Sequence, residues 1–324
     1  MLKYKKEATL SNKQNYPINV LSFELPNKRT FFTPLSDLVF RSIFGDEGSE
    51  HITKAFLESV LKIKIEDFSL RANPEFLRKH IFEKKQTADV KAVCNNSKDK
   101  ILIEMQYKAV DDVNNRFTTY SEKAHSQGLT TRSSYTKLPR VLMVIIMGEN
   151  LPALKGKKDY ISVFNDREKD CPEFLFSDGV TKYVIELPKY IKQKNEASEK
   201  DREKIINPWL EFLIDPLGEE VEKSMRSIKE LREAVEKLRE LNADEEVVEI
   251  YEAEEWAKYD RNSALESAEV RGIEKGKAEG EKEAKRSIVL KMLKKKYSIE
   301  DISTITNVSA NEIKEMQKSS ELVS

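Results

Sequence analysis

The sequence predicts an α/β fold, a mixed sheet flanked by helices over the first 190 residues, followed by an extended helical C-terminal region. Three observations predict it. Short β-rich runs alternate with helix-period segments as far as Pro188. One of them, residues 139–147 (PRVLMVIIM), is a continuous apolar run of strand length, the pattern of a strand covered on both faces. Beyond Pro188 the strand pattern stops, and apolar residues recur at helical spacing among many charges.

Residues 1–24 read as a polar lead-in with at most a short strand at 19–23. A first domain is expected over 25–190. Thr33-Pro34-Leu35-Ser36-Asp37 offers a capping residue and a proline for the first helical turn, and Leu35, Leu38, Val39, Ile43 and Phe44 follow at helical spacing. A second helix spans 50–61, and 63–70 is a short strand or extended link. Residues 86–93 and 101–107 alternate as two strands around the turn cluster at 95–100. A polar helix follows at 111–129, then the apolar strand, then strands at 160–164 and 182–187, about five strands in all. Helices are expected at 201–215, at 219–241 and across 244–297. A short helix-turn-helix-like tail occupies 298–324, with Ser298 and Ser309 as N-caps. The charged helical region thus covers 191–297.

Composition bounds the function. Of 324 residues, 56 are Lys or Arg and 57 are Asp or Glu, giving a net charge of −1. The first 215 residues carry about +5 and the remainder about −6, so the predicted sheet domain holds a mild positive excess compatible with a polyanionic substrate. No apolar run reaches 18 residues, and the N-terminus lacks an apolar signal core, which predicts a soluble, cytoplasmic protein without a membrane partner. Two cysteines and three histidines show no disulfide framework or zinc spacing.

The hairpin carries the chemistry. If its turn centres between Ser97 and Lys98, Asp89 faces Gln106 and Lys91 faces Glu104. All four then share one face, and the apolar residues share the other. Two carboxylates so close repel, and a hard divalent cation such as Mg²⁺ relieves that repulsion and can position water against a phosphate. The same four residues also suit a solvated face on which Lys91 merely pairs with Glu104. Arg116 and Tyr120 lie one helical turn apart and could meet phosphate or could pack. Lys84 and Lys85, just before the hairpin, could touch the backbone of a polyanion or could be a solvated pair.

Asp89 followed fifteen residues later by Glu104-Met105-Gln106 resembles the D…ExK signature of PD-(D/E)XK, restriction-endonuclease-like nucleases, with Gln in place of Lys. The pieces Ser36-Asp37-Leu38-Val39-Phe40-Arg41-Ser42-Ile43-Phe44-Gly45, Ala88-Asp89-Val90-Lys91, Arg116 with Tyr120, Ile185-Glu186-Leu187-Pro188-Lys189 and Pro208-Trp209-Leu210-Glu211-Phe212-Leu213 are similar to its recombination-promoting nuclease (Rpn), transposase-like branch. The resemblance implies a metal-dependent DNA endonuclease, with Mg²⁺ as cofactor and Ca²⁺ as a candidate modulator. It transfers Asp89, Glu104 and the Met105 carbonyl as metal ligands and Asp37 as the additional acidic position. Gln106 stands where the lysine would be, and Lys91, facing Glu104 in the expected register, could supply the missing charge. The departure also leaves open a DNA-binding protein that keeps the nuclease fold without cutting. The seam Val221, Met225, Ile228, Leu231, Val235, Leu238 must be buried, either on the nuclease domain or in a homodimer through the C-terminal helices, and the dimer is the expectation.

Overall fold

The computed structural model describes residues 22–24, 30–71, 88–94, 96–110, 112–127, 135 and 138–321. The described chain divides into two compact units, one ending at Glu252 and one beginning at Ala253. In the first unit a two-stranded ribbon, β1 (Ser22–Glu24) with β2 (Thr30–Phe32), precedes helices α1 (Asp37–Phe44) and α2 (Glu50–Leu61). Then come β3 (Phe68–Leu70), β4 (Val90–Cys94), β5 (Lys100–Gln106), α3 (Val113–Ser126), β6 (Val141–Met147), a single 3-10 turn at Pro152–Leu154, β7 (Ile161–Arg167) and β8 (Leu175–Glu186).

These strands form one mixed six-stranded sheet in the order β3-β4-β5-β6-β8-β7. β5, β6 and β8 run parallel, so their C-terminal ends meet at one end of the sheet, whereas β3, β4 and β7 are antiparallel to their neighbours. The continuous apolar run sits as β6 near the centre, almost wholly buried, as a strand covered on both faces must be. On one face α3 lies across β5 and β6 and closes a core of Leu102, Phe117, Met143, Ile145 and Met147. On the other, Val90, Ile103 and Met105 meet α1, α2 and the helices that follow the sheet.

Those later helices are shorter than their periodicity predicts. Residues 201–215 form two helices, α5 (Glu199–Ile205) and α6 (Pro208–Ile214), after α4 (Leu187–Glu196). Pro208 biases the residue before it toward extended backbone, and Asn207 takes that shape (φ −114°, ψ 117°) and accepts from the Trp209 and Leu210 N–H groups. The predicted 219–241 helix breaks into α7 (Glu219–Ser224) and α8 (Lys229–Ala243). There the Ser227 hydroxyl bonds the Ser224 carbonyl and competes with the helical ladder. Likewise Pro34 belongs to a turn closed by Ser36 N–H on Thr33 O, and α1 starts only at Asp37.

The seam is consumed inside its own chain. Val221, Leu231, Val235 and Leu238 are buried in the same core as Phe44, Phe56, Trp209 and Phe212, with Met225 and Ile228 against it. The expectation that these residues pair two copies is therefore corrected: they dock on the nuclease-like domain. Buried polar groups lock the docking. Glu211 accepts from the Tyr190 hydroxyl and from Lys194, both 2.7 Å away, and Asn207 donates to Ser59 on α2. Asn242 on α8 takes the Phe32 N–H at 2.7 Å and returns its own amide N–H to the Phe32 carbonyl at 3.0 Å, completing the edge of β2 as another strand would.

The second unit contains most of the long helix α9 (Glu245–Lys294), together with α10 (Ile299–Thr306) and α11 (Ala310–Glu321). Val289, Ile302, Val308 and Ile313 give it a small core of its own. Ser298 and Ser309 cap the two short helices as their spacing predicts. Among the described residues, no helix is long and apolar enough to cross a membrane.

Replacing Asn242 by Ala leaves the buried Phe32 N–H and C=O without that partner. We expect a loss of about 2–4 kcal/mol in urea unfolding of the first unit. A loss under about 0.5 kcal/mol would show that β2 does not depend on this side chain.

Candidate active site

The turn decides which residues meet. Cys94 N–H bonds Asp99 O, Lys98 N–H bonds Cys94 O, and Lys98 adopts φ +60°. The hairpin therefore closes one residue earlier than expected. Val90 pairs with Ile103 and Lys91 with Leu102, so Asp89 stands at the end of β4 opposite Glu104. Each residue's partner moves by two positions, an even step, so the predicted face survives while the predicted pairs do not. Lys91 does not face Glu104. Its charge instead acts on Lys100, at the start of β5, whose pKa burial and Lys91 together pull down.

Asp89 and Glu104 are 5% and 1% exposed. Asp89 Oδ2 accepts the Met105 N–H at 2.8 Å, and Glu104 Oε2 accepts the Asp89 N–H at 3.1 Å. The two carboxylates thus continue the β4–β5 ladder beyond the first strand residue of β4. The Met105 carbonyl shares the side of its own N–H, toward Asp89, as backbone groups of one strand residue do.

Two arginines from opposite faces of the sheet reach this pair. Arg41, on α1, donates from Nε to Asp89 Oδ1 at 2.8 Å. Burial would lower its pKa, but Asp89, Asp37 and Glu104 outweigh burial and hold the guanidinium above its ordinary value. Asp37 sits in the first turn of α1, one turn before Arg41. Arg116, near the start of α3, donates from Nη2 to Gln106 Oε1 and lies 3.7 Å from Glu104 Oε1. Gln106 gives its amide N–H to Lys108 O at 2.8 Å, which turns its oxygen toward the guanidinium. Among the described residues, Arg116 Nε is buried without a hydrogen-bond partner.

Asp37, Asp89, Glu104, Met105, Gln106 and Arg116 are thus gathered at one end of the sheet. Tyr120, on the buried face of α3, is 7% exposed and packs with Phe117 and Leu102. Lys84 and Lys85 lie outside the described residues. Sequence reasoning gave Arg41 no role. Its only local signal was its place one helical turn after Asp37, and its partner Asp89 is 48 residues away.

Neighbouring parallel strands frame the site. Gln106, Met147 and Glu186 are in register across β5, β6 and β8. Glu186 is fully buried, ion-paired with Lys189, and accepts the Leu151 N–H at 2.9 Å, while Lys189 also bonds Leu154 O. This network holds the segment after β6 over the sheet end. Gly148 is required there, since a Cβ would stand 2.8 Å from Tyr107 O.

Asp89 therefore has a structural duty independent of chemistry. Asp89→Ala is expected to lose about 3 kcal/mol or more in urea unfolding, because it strands the Arg41 guanidinium and a backbone N–H. Asp89→Asn keeps one acceptor oxygen and should lose clearly less. Equal losses for the two variants would show that neither bond contributes.

No curated protein and no solved structure matches the chain. A family model described as PD-(D/E)XK nuclease family transposase matches residues 34–268, well over half of the sequence. The matched span includes α1 with Asp37 and Arg41, the Asp89/Glu104 strand pair, and α3 with Arg116. With its mixed sheet, flanking helices and helical C-terminal region, the chain belongs to the PD-(D/E)XK nuclease family transposases.

Proposed function

We propose that the chain is a metal-dependent DNA endonuclease that hydrolyses phosphodiester bonds, recombination-promoting in kind and acting in the cytoplasm. The supporting observation is the convergence of two buried carboxylates, Asp89 and Glu104, with a guanidinium whose Nε is buried and unpartnered among the described residues.

Members of the PD-(D/E)XK family generally use divalent metal ions. The donor set fits one. Asp89 and Glu104 offer hard oxygens on adjacent strands, and the Met105 carbonyl faces the same side. Among the described residues no group of three or more His, Cys, Asp or Glu side chains is placed to hold a metal ion, so the side-chain donors here are the pair alone. That pattern suits Mg²⁺, which binds through one or two carboxylates and completes its shell with water and substrate phosphate, and Ca²⁺ as a competing modulator. Asp89, Glu104 and the Met105 carbonyl would hold the ion, which supplies positive charge for the phosphate and lowers the pKa of bound water.

The remaining work falls to the chain's own groups. Arg116, whose side chain is 29% exposed, offers its guanidinium to a phosphate oxygen and stabilises the charge that builds there during displacement. Gln106 holds Arg116 in place and, being neutral, supplies no charge of its own. Asp37 acts on Arg41 through space, and Arg41 fixes Asp89. The cation missing from the strand position is thus supplied from α3, and Lys91 has no part in it. A second reading, a DNA-binding protein without cleavage, is motivated by the same Lys-to-Gln departure.

Supercoiled plasmid incubated with the purified protein separates the two. Cutting in Mg²⁺ that stops in EDTA supports the enzyme, whereas retarded but intact plasmid supports the binding protein. Asp89→Asn and Glu104→Gln should abolish cutting. Arg116→Met should slow it by about 10²-fold or more, and Gln106→Ala by on the order of tenfold through Arg116. Lys91→Met should cut at nearly the wild-type rate. A severe loss in Lys91→Met with a normal rate in Arg116→Met would reverse the assignment.

A further inference from the structure

Arg41 is the least expected member of the cluster. It is anchored on α1, away from the strands that carry the carboxylates, and its Nε–Oδ1 bond to Asp89 is 2.8 Å. Its side chain is 18% exposed and that of Asp89 is 0%, so solvent does little to screen the pair. Three carboxylates act favourably on it: Asp89 by direct contact, Asp37 and Glu104 through space.

We propose that Arg41 is a resident counter-cation of the metal site, which keeps the carboxylates folded together before any metal arrives and sets how tightly a metal binds. This rests on the reading of Asp89 and Glu104 as metal ligands. Among the described residues of the cluster, Asp37, Asp89 and Glu104 contribute three negative charges, and Arg41 and Arg116 two positive. The metal-free cluster is therefore left with one excess negative charge. A divalent ion turns that into one excess positive charge, which a single phosphodiester group then cancels. Arg41 thereby weakens metal binding in the absence of DNA and makes metal and phosphate bind cooperatively. Removing its charge while keeping a hydrogen-bonding head group leaves the metal-free cluster at two excess negative charges. The metal-free form is then less stable and more eager for a cation.

The test compares Mn²⁺ binding by calorimetry to the full-length wild type, Arg41→Gln, Arg41→Lys and Asp89→Asn, with melting temperatures measured with and without Mn²⁺. Arg41→Gln should bind Mn²⁺ at least tenfold more tightly than wild type without DNA, and Mn²⁺ should raise its melting temperature by at least twice the wild-type gain. A short DNA duplex should tighten Mn²⁺ binding by wild type more than by Arg41→Gln, and Arg41→Lys should restore wild-type behaviour. A merely structural arginine predicts a lower melting temperature with unchanged Mn²⁺ affinity, which overturns the proposal. If Arg41→Gln folds only when Mn²⁺ is supplied, and not with sodium at equal ionic strength, the proposal is supported; failure under both conditions overturns it. Loss of Mn²⁺ binding in Asp89→Asn with no tightening in Arg41→Gln refutes the role of Arg41 alone. Unchanged binding in Asp89→Asn refutes the metal-site reading itself.

Discussion

The structure depends on keeping two carboxylates out of water at the end of a β-hairpin. Taking a carboxylate into the interior costs several kcal/mol even after relaxation, and two adjacent ones repel each other as well. Glu104 is nearly inaccessible and the Asp89 side chain wholly so. Neither can stay there as an anion without donors and cations at fixed positions. The backbone supplies donors at Met105 and Asp89, and α1 and α3 supply guanidiniums from opposite faces of the sheet. This requirement fixes where both helices start relative to the strands. The packing of α1 in the aromatic core and of α3 over β5 and β6 is therefore coupled to the electrostatics of the site.

The period-two alternation of the hairpin made the site's face legible in the sequence, because alternation does not depend on where the turn falls, provided the shift is even. The pairing partners were not legible. They depend on whether Lys98 adopts a left-handed conformation, and a lysine gives no advance notice of that as a glycine would. One misplaced turn moved Lys91 from Glu104 to Leu102 and with it the presumed source of positive charge. Arg41 was hidden for a different reason. Within α1 it looks like an ordinary basic residue in the last turn of a short helix, favoured there by the helix dipole. Only the folding of α1 against β4 reveals its carboxylate.

The C-terminal helices show the same limit at larger scale. A seam with coiled-coil-like spacing states that a helix face must be covered, not what covers it. Here the cover is α1, α2 and α6 of the same chain, with one break before α6 and one within the seam itself. One break was readable in Pro208. The other, between Ser224 and Ile228, involves no proline or glycine, only the Ser227 hydroxyl competing for a carbonyl. Asn242 on α8 is equally silent in sequence, since a lone asparagine near a helix end reads as a cap and here serves as a strand edge.

In the proposed site the cation sits on a helix arginine and not on a strand lysine, an exchange with a physical logic of its own. A lysine at position 106 would rise from the strand directly beside Glu104 as a strongly hydrated point charge, and its pKa would be sensitive to the burial that defines the site. A guanidinium stays charged at any working pH and presents several donors in one plane. Arg116 can therefore bond Gln106 and at the same time stay within reach of Glu104. The glutamine then has a task a lysine could not perform, because its oxygen accepts from the arginine while its nitrogen donates to Lys108 O. Glutamine and arginine together thus act as one unit: the strand residue sets the direction and the helix residue brings the charge. The ExQ form of the motif is coherent only when the residue ten positions further on is counted as part of it.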